Sequence, residues 1–168
     1  MSRRRKEDAL ARKVEPLPVQ GRVAPHDLDT EASVLSAVML DPAALDNVMP
    51  FLRAEHFYAD SNGRVYEACV ELHTAGQPVD VVQVARWLRD KGRLAQVGGP
   101  SYLAQLTDAT PAIAHVEHHA KVIREHWRLR QLIATCQRVS AEGYGDVGTI
   151  ATFIEEASSA IEAIRGNS

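Results

Sequence analysis

The chain is predicted to be all-α, a compact orthogonal bundle of short helices followed by a long antiparallel helical hairpin. Three observations predict it. Helix-capping residues, short apolar stripes and glycine or proline stops recur in succession from Asp27 onward. A run from Ala112 to Glu142 then contains neither glycine nor proline. Finally, Gly143-Tyr144-Gly145 separates that run from a last apolar-striped segment.

In chain order, residues 1–23 combine a basic front with prolines and few large apolar side chains, so they are expected to form a disordered tail. Residues 24–110 are expected to form the globular head. Asp27 or Asp29 caps a helix bearing Val34, Leu35, Val38 and Met39, and Asp41-Pro42 restarts the chain with a cap followed by a first-turn proline. Asp60 or Ser61 caps a helix with Val65, Cys69 and Leu72, which Gly76 ends. Asp80 caps the next, striped by Val81, Val84, Ala85 and Leu88 and closed by Gly92. Gly98-Gly99-Pro100 leads into Tyr102, Leu103 and Leu106.

Residues 111–166 read as a hairpin for subunit pairing. Thr110-Pro111 opens a helix of about 30 residues, roughly 45 Å long at 1.5 Å per residue. Val122, Leu129 and Cys136 recur every seven residues, as do Leu132 and Val139, giving a coiled-coil-like seam that marks these five as candidate subunit-interface residues. A second row, Val116, Ile123, Trp127 and Ile133 or Ala134, widens the apolar surface. Asp146 or Thr149 caps the returning helix, whose Ile150, Ile154, Ala157, Ile161 and Ile164 form one stripe. One returning helix covers one row, so the other is expected to be buried by a second copy or a partner.

Composition narrows the function. A length of 168 residues and 45% hydrophobic content suit one globular domain with an appendage. The net charge of −3 argues against a dedicated nucleic-acid-binding domain, which needs a basic face to displace counterions. Cys69 and Cys136 each sit in a helical pattern and read as buried thiols of a reducing compartment. No apolar run spans a membrane and no signal core opens the chain, so a cytoplasmic location is the default expectation.

No catalytic constellation is legible. There is no Gly-Lys pair, and therefore no phosphate-binding P-loop. Glu155-Glu156 are adjacent and face apart on a helix, which rules out acid–base cooperation. His115, His118 and His119 share a helix face, but no cysteine or carboxylate completes a tetrahedral site, so no metal is assigned. Arg124, Trp127, Arg128 and Arg130 on the long helix, with Tyr144 at the hairpin tip, are candidate partner-docking residues, because arginine and aromatic side chains dominate interface hot spots.

The wording of the chain then points to a family. PHDLDTEASVLSAVMLDP from Pro25, EHFYADSNGRVYEA from Glu55, GQPVDVVQVARWLRDKGRLAQVGGPSYLAQL from Gly76 and TPAIAHVEHHAKVIREHWRLRQLI ending at Ile133 together resemble the N-terminal domain of DnaB-type replicative DNA helicases. The resemblance covers about two-thirds of the chain. That family commonly has Glu-Ala-Glu at Asp29-Thr30-Glu31, glycine at Ser36 and often histidine at Asn62. The likeness implies a non-catalytic collar domain that pairs subunits, as a dimer or a trimer of dimers, and docks primase and in some systems a helicase loader. It implies no cofactor in this chain, since ATP and Mg belong to a motor domain whose motif is missing here, and only weak or indirect DNA contact. Two other expectations stand beside it: a free-standing regulator that mimics the helicase head and blocks primase or loader docking, and a small DNA-binding helical protein using its basic tail.

Overall fold

The computed structural model describes residues 14–166. Among them lie seven α-helices: α1 (Leu28–Leu40), α2 (Ala44–Val48), α3 (Asp60–Thr74), α4 (Val81–Asp90), α5 (Gly99–Asp108), α6 (Val116–Gly143) and α7 (Ile150–Gly166). Single 3-10 turns occur at Ala54–His56 and Ile113–His115, and the described residues contain no strand beyond an isolated Val19 to Arg22 bridge. The described chain divides into two compact units, residues 26–126 and residues 14–25 with 127–166. The division falls inside α6, so the expected boundary at 110/111 lies well short of it.

In the first unit, α1 is the central element. Val34, Leu35, Ala37 and Val38 are all fully buried, a helix apolar on every side. It packs against α2, α3 and α5. Of the two cap candidates it is Asp27 that begins it, accepting from the Thr30 backbone N–H at 3.0 Å and from the Thr30 hydroxyl at 2.8 Å. The same arrangement starts α4, where Asp80 accepts from the Gln83 N–H at 2.8 Å.

The start of α3 differs from expectation. Neither Asp60 nor Ser61 caps it; its flanking residue is Ala59, which has no side-chain cap. Glu31 on α1 supplies the missing acceptor. Its carboxylate takes hydrogen bonds from the Tyr58 N–H at 2.8 Å, the Ala59 N–H at 3.3 Å and Asn62 Nδ2 at 2.9 Å. The Tyr102 hydroxyl of α5 donates to Asn62 Oδ1. Three helices are thereby tied through one buried carboxylate, whose negative charge also suits the positive end of α3.

Gly76 ends α3 at φ +70°, with the Gln77 N–H reaching back to the Leu72 carbonyl at 2.9 Å. Gly98 has φ +108°, and a Cβ there would stand 2.9 Å from Tyr102 Cβ, so the turn into α5 admits no side chain at this position. The core gathers Val34, Leu35, Leu45, Phe57, Val65, Leu88 and Leu103 with the buried Tyr66, whose hydroxyl donates to the Leu52 carbonyl at 2.8 Å. Val116 and Ile123 of α6 are buried too. No helix among the described residues is long and apolar enough to cross a membrane.

Candidate functional site

The second unit is the candidate interface, and it is built on α6. This helix has 28 residues and so runs about 42 Å. The loop to α7 is folded by Asp146, whose carboxylate accepts from the Gly148 N–H at 3.0 Å, and α7 returns antiparallel. Arg128 donates to the Arg165 carbonyl at 3.3 Å at one end of the pair, and Gly143 meets the Phe153 ring at the other. Between those marks Leu132, Thr135 and Val139 of α6 are half-buried, as are Phe153, Ala157, Ala160 and Ile164 of α7.

The expected stripe on the returning helix therefore splits. Ala157 and Ile164 turn inward, joined by Phe153 and Ala160, whereas Ile150, Ile154 and Ile161 are exposed. The apolar residues of α7 span too wide an arc for one neighbouring helix to cover. The five seam residues of α6 split likewise. Leu132 and Val139 face α7, but Leu129 is 45% exposed and Cys136 is exposed, while Val122 is half-buried within the first unit.

At 100° per residue, Leu129 and Cys136 lie roughly a quarter-turn from the α7-facing line of α6. Ile150, Ile154 and Ile161 lie a similar rotation from the α6-facing line of α7. Because the helices are antiparallel, equal rotations of the same sense bring both rows to one side of the hairpin. The result is a continuous uncovered apolar strip.

The opposite side of α6 is covered by this chain's own residues 14–25, which corrects one expectation. Residues 14–23 fall within the expected disordered tail, yet Leu17 is clamped by Gln137: its N–H donates to Gln137 Oε1 at 2.7 Å and its carbonyl accepts from Gln137 Nε2 at 2.8 Å. Gln131 Nε2 donates to the Val14 carbonyl at 3.3 Å. The remainder of that tail, residues 1–13, lies outside the described residues. Ile133 and Ala134, of the second apolar row, are half-buried on the flank that carries Arg130 and Gln137.

Arg130 is the docking candidate that the structure removes from the surface. It is only 1% exposed, donating to the Pro25 carbonyl at 2.9 Å and pairing with Glu15 at 3.8 Å. Its length and fixed charge suit it to hold a chain segment down. Arg124, Trp127 and Arg128 are half-buried, and Tyr144 at the hairpin tip is 93% exposed. Cys69 is a buried core thiol, pushed up to about 12 by desolvation and thus inert. Cys136 is exposed. Among the described residues no group of three or more His, Cys, Asp or Glu side chains is placed to hold a metal.

Two site features escaped the sequence reading. The Glu31 hub had one signal, an acid three residues before a helical stretch that is apolar but for Ser36. The strap on α6 had another, the alternation Pro16-Leu17-Pro18, which enforces extended backbone.

A helical head whose long last helix folds back into an apolar-faced hairpin defines a protein-interaction domain. Residues 23–125 match the family model described as the DnaB-like helicase N terminal domain, and the chain belongs to that family. It is 37% identical over 136 residues to the replicative DNA helicase DnaB of Geobacillus stearothermophilus, covering 81% of this chain and 30% of that protein. It is 34% identical over 140 residues to the replicative DNA helicase DnaC of Bacillus subtilis (strain 168), covering 83% and 31%. The chain thus spans about a third of the length of these relatives. Among solved structures, the N-terminal domain of DnaB helicase from Mycobacterium tuberculosis superposes with a TM-score of 0.78 at 32% identity, covering 84% of this chain and 99% of that one. A DnaB-like replicative helicase solved for its interactions with primase shares the fold, with a TM-score of 0.64 at 24% identity over 82% of this chain and 31% of that one.

Proposed function

We propose that this chain is a non-catalytic collar domain of a replicative helicase, pairing with further copies of itself through the hairpin and offering the assembled surface to primase or a helicase loader. The observation that carries the reading is the one-sided strip of Leu129, Ile150, Ile154 and Ile161, a large apolar surface that a monomer would leave in water. Two such strips packed face to face make a four-helix arrangement in which each helix gains the neighbour it lacks.

The primase assignment draws support from the related fold solved for its interactions with primase. Tyr144 is the best-exposed aromatic anchor for such a partner, and Trp127 and Arg128 are half-buried candidates at the other end of the hairpin. In this reading ATP and Mg are handled outside this chain, DNA contact is indirect, and the setting is cytoplasmic. Size-exclusion chromatography with light scattering tests the pairing: a dimer or larger species at high chain concentration is expected, and a strict monomer counts against it. Co-purification with the cognate primase, weakened by Tyr144→Ala, tests the docking.

A further inference from the structure

The segment on the back of α6 is held in an unusual way. A packed tail normally buries its apolar side chains, yet Leu17 is 71% exposed and Val14 and Val23 also face outward. What α6 grips is backbone. Gln137 reads both the N–H and the carbonyl of Leu17, Gln131 reads the Val14 carbonyl, and Arg130 reads the Pro25 carbonyl while facing the Glu15 carboxylate. Pro16 and Pro18 have no N–H and confine their neighbours to extended backbone, so Leu17 arrives with its one donor and one acceptor presented together at small entropic cost. Arg130 completes the argument: a guanidinium this deeply buried needs polar partners, and the segment brings it the Pro25 carbonyl and the Glu15 carboxylate.

The geometry points to a peptide-binding track on α6, formed by Arg130, Gln131, Ala134 and Gln137. It is specific for an extended carboxylate–Pro–X–Pro segment, read through the backbone at X, is occupied in cis by residues 14–25, and is open to the same segment of a second copy when the resident one leaves. Exchange is inexpensive because hydrogen bonds, not apolar burial, hold the resident, and such segments open locally well below the global stability. A second copy carries the identical residues in the identical register, so every contact of the resident is reproduced. The track stands on contacts within this unit and holds whichever way the apolar strip is covered.

Fluorescein-labelled VEPLPVQGRVAP, residues 14–25, tests it on the full chain. Leu17→Pro removes the N–H that Gln137 accepts from and puts a ring in its place, so the tethered segment is held less tightly and competes less well, without altering α6. The peptide is expected to bind this variant saturably by anisotropy. Wild type, whose tethered segment competes at an effective concentration of about millimolar, should bind it at least roughly tenfold more weakly. The double variant Leu17→Pro/Gln137→Leu should also be weaker by roughly tenfold, having lost two hydrogen bonds. Circular dichroism confirms that each variant keeps its helices. No binding to the Leu17→Pro chain, or equal binding to all three chains, overturns the track. Unlabelled Gln137→Leu chain, with a free segment and a spoilt track, should then displace the peptide. Failure to displace it overturns a second copy as the source in trans.

Discussion

Glu31 shows how one side chain can set a junction. It is 2% exposed and satisfies three donors around the start of α3. Glu31→Ala strands the Tyr58 and Ala59 N–H groups and the Asn62 amide together, and is expected to cost about 2–4 kcal/mol in urea unfolding, with Glu31→Gln losing less. Asp27 is the more exposed counterpart. Its carboxyl is held below its ordinary 3.8 first by the Thr30 backbone N–H and then by the Thr30 hydroxyl, against a small opposing effect of burial. A carboxyl lowered on folding favours the fold while ionised, fully above its unfolded value, and that contribution disappears as pH falls through the lowered folded value. Unfolding midpoints of an Asp27→Asn chain should therefore decline less steeply than wild type on acidification below about pH 4.

Among the elements, the caps of α1 and α4 were legible because Asp27 and Asp80 act on residues three positions on. The cap of α3 was not, because its acceptor lies 27 or more residues upstream on another helix. The hairpin was legible in outline and misread in detail. Ile150, Ile154, Ala157, Ile161 and Ile164 do form a stripe, but an apolar arc that includes Phe153 and Ala160 is wider than the groove of one partner helix, and periodicity does not say which edge is covered. The split makes two leucines three residues apart behave differently. Leu132→Glu, on the α7-facing line, should destabilise the chain by about 1–3 kcal/mol. Leu129→Glu should leave the thermal midpoint at high dilution nearly unchanged and weaken self-association by about tenfold or more in light scattering.

Taken whole, the molecule concentrates its burial in one unit. Among the described residues, every fully buried apolar side chain lies between Val34 and Ile123, while in residues 14–25 and 127–166 the one fully buried side chain is Arg130. The first unit thus holds a self-sufficient core, and on the proposed pairing the second would gain most of its apolar burial from association. Hydrogen exchange should report this: amides of residues 127–166 slow as chain concentration rises across the association range, and those of the buried core do not change. The strap was the least legible part of the molecule. Its low apolar content argues correctly against a core, but its partner Gln137 stands 120 residues away. That distance also carries a consequence for synthesis. At about 5–20 residues per second, Leu17 is made roughly 6–24 s before the Gln137 that receives it. The first described stretch to be made is among the last to be seated, and the core of the head is complete while its neighbour upstream is still bare.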